Sequence, residues 1–194
     1  TYTEGILNSG DIIFNSIFNN ERNDSPNILS NPYASAIRID KFFQYNSDPD
    51  ITGGTVYFWE HLTTMGANDY PGYKTQNYNM GDISMYNVLN LGLAAANGGD
   101  TPTNYIASGQ GFGVKVTATG GVHFNNAMRV KDNNTGYRNS ENAIDKLYLH
   151  VKNDTYSLAS SALISFTELA TDGFDQNYDA KRLGTSMSIY SVVN

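Results

Sequence analysis

Gly111-Phe112-Gly113-Val114-Lys115-Val116-Thr117-Ala118, then Thr119-Gly120-Gly121, then Val122-His123-Phe124 is the stretch that decides the fold class. On both sides of the glycine-containing link, bulky apolar residues alternate with small or polar ones. That period of two puts successive side chains on opposite faces of a strand. β-Branched and aromatic residues fit such a pleated, half-buried surface. Thr119-Gly120-Gly121 suits a hairpin connection, because glycine accepts the left-handed backbone of tight hairpin turns. Just upstream, Gly109-Gln110-Gly111-Phe112-Gly113 leads into this alternating run and not into a helix. It therefore reads as a bulge opening a strand and not as a loop cradling phosphate on a helix N-terminus.

Working outward, Tyr105 to Ser108 forms a short run before this region, and Val122 extends in the same pattern to Val130. A polar loop, Lys131 to Ile144, precedes expected strands at Lys146 to Val151, Ser161 to Glu168 and Ser186 to Val193. Toward the N-terminus, Thr55 to His61 alternates Val56, Phe58 and Glu60 against Thr55, Tyr57, Trp59 and His61, a strand with an aromatic face. Ala36, Ile37, Ile39, Phe42 and Phe43 have the spacing of a short amphipathic helix over Ile39 to Tyr45, with Asp40 as its cap. Asp11 to Phe18 is an expected strand, followed by a polar loop, Asn19 to Pro26. Met85 to Ala96 fits a short strand or a helix equally well by periodicity. These elements predict an all-β chain: an antiparallel β-sandwich or jelly-roll-like fold with one or two short helices. It is read as one β-rich domain over 1–194, whose first 30 residues are weakly specified.

Composition supports an exported β protein. The 194 residues include 18 Gly and 14 Tyr but only 16% charged residues, so amides, hydroxyls and phenols replace the usual helix-forming Glu, Lys and Arg. A net charge of -7 and the lack of a Lys/Arg cluster argue against nucleic acid, which needs clustered cations to displace counterions. The longest apolar stretch, Val88 to Ala96, is far too short to span a bilayer, so the chain is not expected to be transmembrane. No signal peptide begins at Thr1, as expected of a segment already trimmed. With no cysteine, sheet packing alone must supply the stability.

Catalytic chemistry finds little purchase. His61, His123 and His150 lack metal-ligand spacing and read as strand histidines, and Ser108 sits in a turn without a nucleophile elbow. Glu60 and His61 are adjacent strand residues whose side chains leave opposite faces, so they make no acid-base pair. The 19 acidic residues nominate no glycosidase pair, which leaves a hydrolase domain as the third hypothesis. Two binding sites are candidates. Tyr57, Trp59, Tyr70, Tyr73 and Tyr78 cluster around one strand and the following loop, as stacking surfaces for glycans would. Large aromatics also fill sandwich cores, and that reading is preferred for Trp59. Asp172, Asp175 and Asp179 could offer oxygens to calcium around Gly173. Their spacing is not that of an EF-hand, and Asp and Asn favour turns by bonding their own backbone, so a structural turn anchored by Phe174 is preferred and no cofactor is expected.

Several blocks, in order, carry a family resemblance: Asn31-Pro32-Tyr33-Ala34-Ser35-Ala36-Ile37, Asp40-Lys41-Phe42, and Gly54-Thr55-Val56-Tyr57-Phe58-Trp59-Glu60-His61. They continue with Tyr105-Ile106-Ala107-Ser108-Gly109-Gln110-Gly111-Phe112, Phe124-Asn125-Asn126-Ala127-Met128-Arg129-Val130, and Ala170-Thr171-Asp172-Gly173-Phe174-Asp175 with Tyr178-Asp179-Ala180. Together they resemble the C-terminal region of flavobacterial (Bacteroidetes) cargo proteins of the type IX secretion system that bear the type C sorting signal. Ala34 stands where the family usually has a second proline, and the first 30 residues lie outside the resemblance. The resemblance implies an extracellular or cell-surface location and, as partners, the type IX machinery or another surface protein. It also implies a continuation past Asn194 into the sorting signal, without which Ser186 to Val193 would be an exposed edge. It implies no reaction. The expected function is a non-enzymatic, structural and export-associated module, with an adhesin or carbohydrate-binding module as the alternative.

Overall fold

The computed structural model describes residues 5–19, 25–46, 53–63, 79–134, 145–156, 158–167, 170–171, 173–175, 179–180 and 187–190. The chain is all-β and sandwich-like, with 40% strand against 9% helix and mainly antiparallel pairing. Among the described residues no helix is long and apolar enough to cross a membrane, a statement that does not bear on β-barrels.

The principal sheet has five strands: β2 (Pro26–Ser30), β4 (Thr55–Trp59), β5 (Ile83–Asn87), β6 (Gly92–Leu93) and β8 (Gly111–Lys115), in the order β2-β8-β4-β5-β6. Pro26 opens an edge strand, the position where a missing N–H disturbs a ladder least. Across the core lie β1 (Ile12–Ser16) paired with β9 (Gly120–Phe124), β3 (Ile37–Arg38) paired with β7 (Tyr105–Ile106), and the helix α1 (Ile39–Tyr45). One apolar cluster joins these layers. Val56 and Phe58 of β4, Tyr86 of β5, and Phe112 and Val114 of β8 meet Phe42 of α1 and Val122 and Phe124 of β9. Phe42 touches Phe112 edge-on at 5.4 Å between ring centroids, a favoured aromatic geometry. A separate antiparallel hairpin, β10 (Asp145–Asn153) with β11 (Leu158–Phe166), lies against β6.

The helix spans the expected residues, but Asp40 does not cap it. Arg38 occupies the cap position without a side-chain bond, and the Asp40 amide is met by Asn104 Oδ1 at 2.9 Å. The expected hairpin at Thr119-Gly120-Gly121 is absent: β8 and β9 enter different sheets, and both glycines belong to β9, opposite Ser16 and Asn15 of β1. Gly121 is small for a reason, since an added Cβ would stand 2.9 Å from Ile13 Cγ2. The expected bulge at Gly109 is instead a turn, in which the Gln110 amide bonds the Ala107 carbonyl at 3.1 Å and Gly109 takes φ +68°. The ladder from Ser30↔Gly111 onward is regular. Met85 to Ala96 resolves into parts of β5 and β6 joined by a turn with Asn90 at φ 59°. Of the expected strand Ser186 to Val193, residues 187–190 are not strand and the remainder lies outside the described residues.

Candidate functional site

Three of the sequence blocks quoted above, 31–37, 105–112 and 124–130, meet in space, and Asn31 lies at their junction. This side chain is 2% exposed. Its Nδ2 donates to the carbonyls of Ser35 (2.8 Å), Ile106 (3.0 Å) and Ala107 (3.0 Å), while Oδ1 accepts the Tyr33 amide at 3.0 Å. Ser108, whose expected role was a turn hydroxyl, donates to the Tyr33 carbonyl at 2.8 Å. Tyr33 in turn donates its phenol to the Gly10 carbonyl at 2.6 Å, and burial raises the pKa of that phenol, which keeps it a donor. The Arg129 guanidinium lies 5.1 Å from the Tyr33 ring centre, and its Nε bonds Ser35 Oγ at 3.0 Å. Ile37 forms a bridge with Arg129 as well as pairing with Ile106. Three segments distant in sequence are thus joined by buried and part-buried hydrogen bonds, most of them to backbone groups.

The glycan candidates separate. Tyr57 is buried at 8% exposure, with the Lys115 ammonium 5.5 Å from its ring centre. Trp59, expected in the core, is 52% exposed. The cause is local: the β4–β8 ladder ends at Tyr57↔Gly113, so Trp59 extends beyond its neighbour on that side. Its ring stacks on His61 with centroids 5.6 Å apart and planes 28° from parallel, and His61 lies just past the end of β4. Tyr70, Tyr73 and Tyr78 lie outside the described residues.

Sequence reasoning weighed Glu60 only as a rejected partner of His61 and missed its association with Asp82 and Ser84. The alternation that places Val56 and Phe58 in the core also turns Glu60 inward, where its amide bonds the Asp82 carbonyl at 2.9 Å. Asp82 is 1% exposed, and its carboxylate accepts from Thr63 N (3.0 Å), Thr63 Oγ1 (2.6 Å) and Asn97 Nδ2 (2.7 Å). Glu60 Oε1 and Ser84 Oγ are buried without a hydrogen-bond partner. Desolvation raises the Glu60 pKa, and the nearby Asp100 and Asp82 carboxylates add to the rise.

In the acidic segment, Asp175 Oδ2 accepts the Thr171 amide at 2.6 Å and Oδ1 the Thr171 hydroxyl at 3.0 Å, while Asp179 Oδ2 accepts the Asp175 amide at 2.8 Å. These carboxylates brace local backbone, as the turn reading requires. Asp172 lies outside the described residues, and among those described no three His, Asp or Glu side chains are grouped to hold a metal. Phe174 does not anchor the turn in the core, since it is 46% exposed. The β10–β11 hairpin borders two openings. One is an apolar groove of about 620 Å³ touched by Met85, Leu91, Leu93, Ile164 and Tyr190. The other is a smaller polar pocket against β6, lined by Lys146, Tyr148 and His150. Their spacing of two along an expected strand was the available signal for a shared face.

Neither the curated proteins nor the solved structures yield a match to this chain. A family model matches residues 2–194, nearly the whole sequence, and the chain belongs to that family, described as a domain of unknown function (DUF8693).

Proposed function

We propose that this chain is a non-enzymatic structural module of a bacterial protein displayed outside the cell, carried there by type IX export. The observation behind this reading is the convergence on Asn31: three blocks of the resemblance spend their polar groups on buried and part-buried hydrogen bonds that hold the fold together. A module of this kind acts through its stability and its attachment, and its partners are the export machinery or a neighbouring surface protein. An antibody against the chain should label intact cells of the source bacterium, with labelling lost when type IX export is disabled. Labelling confined to lysed cells would refute the placement. Turnover of polysaccharide or peptide pools by the purified chain would refute the non-enzymatic reading.

A second reading, a carbohydrate-binding or adhesive module, has one specific observation in its favour. Trp59 is half exposed and held flat by its stack on His61. An exposed indole offers a large, rigid apolar face with a polar edge, the form suited to stacking on a sugar ring. A glycan array probed with the chain and with Trp59→Ala tests it. Binding lost in the variant supports the reading, and an array silent for both removes it.

A further inference from the structure

We propose that the pocket between β6 and β10 is a binding site for a carboxylated sugar unit. Its location and chemistry go beyond the structural role and use neither Trp59 nor His61. Lys146, Tyr148 and His150 occur at every second position of β10, so one face of that strand presents a cation, a phenol ring and an imidazole in a row. Together with Gly92, Asn90 and Thr101 they line a cavity of about 370 Å³, within the lower range of small-molecule sites. The opposite wall is set by close packing: a Cβ on Gly92 would stand 2.7 Å from Thr101 Cγ2 and would also strike the Pro102 carbonyl. The Tyr148 hydroxyl reaches across to the Gly92 carbonyl in a long contact of 3.4 Å, while 41% of the residue stays exposed.

The ligand class follows from what each group lacks. Along the same face, Lys152 is neutralised by Asp154 at 2.9 Å, whereas Lys146 has no ion pair or hydrogen bond among the described residues. An ammonium at a pocket wall that has no partner among the described residues favours an anionic group on the ligand, even in a chain of net charge -7. His150 places Nδ1 2.8 Å from Ser161 Oγ, which orients the ring and leaves Nε2 for a hydroxyl or carboxylate. The exposed Tyr148 ring supplies a flat face for sugar C–H groups, and Asn90 and Thr101 bring amide and hydroxyl groups to the rim. A neutral sugar would leave Lys146 unanswered, and a small carboxylate would leave the ring uncovered.

The test is a titration of the full chain, followed by amide NMR shifts, with three probes: trigalacturonate, a neutral galactose trisaccharide and acetate. Trigalacturonate should give saturable shifts at Gly92, Tyr148 and His150, with affinity at least about tenfold above the neutral trisaccharide. Lys146→Gln should weaken it about tenfold, Lys146→Arg should retain it, and Trp59→Ala should bind as the wild type does. Well-dispersed spectra of the variants will show that folding is intact. Absent shifts, equal affinity for the neutral sugar, the same shifts from acetate alone, or unchanged binding by Lys146→Gln would each overturn the proposal.

Discussion

Replacing Asn31 by alanine is the sharpest perturbation of the structural core. The substitution removes one carboxamide that serves four backbone groups: the Tyr33 amide and the carbonyls of Ser35, Ile106 and Ala107. With the residue 2% exposed, water does not replace these partners without opening the junction. A buried polar group left unmatched costs about 1–3 kcal/mol, and the Tyr33 amide and Ile106 carbonyl are the two most enclosed. Allowing for relaxation of the two less buried carbonyls, the loss should be about 3–5 kcal/mol, a large share of a typical 5–15 kcal/mol total stability. Urea unfolding reads this as a lower midpoint at unchanged slope. Asn31→Asp separates hydrogen bonding from shape. It keeps the acceptor for Tyr33 but sets a negative charge against three carbonyl oxygens, so it should be no better than alanine. A loss under about 1 kcal/mol for Asn31→Ala, or near-wild-type stability for Asn31→Asp, would refute the view that this side chain binds the blocks together.

Two further substitutions test the neighbouring assignments. Because burial raises the folded-state pKa of Glu60 above its ordinary 4.5, folding takes up a proton between those two values, and stability should fall as pH rises through that window. Glu60→Gln should therefore unfold at higher urea than the wild type above the window, with the difference vanishing below it; a constant offset at every pH would contradict this origin. Phe174→Ala should cost less than about 1 kcal/mol in thermal melting, since the ring is 46% exposed, and a loss of the 3–5 kcal/mol typical of a fully buried phenylalanine would show that it is enclosed after all.

The contrast between what the sequence reveals and what it conceals follows the range of the interactions. Helix α1 and strands β4, β10 and β11 are legible because a repeating side-chain period over adjacent residues encodes them. Strand β2 is not: Pro26-Asn27-Ile28-Leu29-Ser30 has polar neighbours and no sustained alternation, and pairing with β8 makes it a strand. The same distinction explains the helix cap, because Asp40 has suitable local chemistry whereas the group that meets the helix N-terminus comes from Asn104. It also explains the failed hairpin. Thr119-Gly120-Gly121 permits a tight turn, but β1 competes for β9 and takes it into another sheet, and no property of the glycines encodes that competitor. The candidate site follows the same logic. Alternation alone turns Glu60 toward the core and puts Lys146, Tyr148 and His150 on one face, whereas the exposure of Trp59 depends on where the β8 ladder stops. Residue type therefore located the aromatic strand, but only the neighbouring strand determines that its tryptophan is available to a ligand while its tyrosine is not.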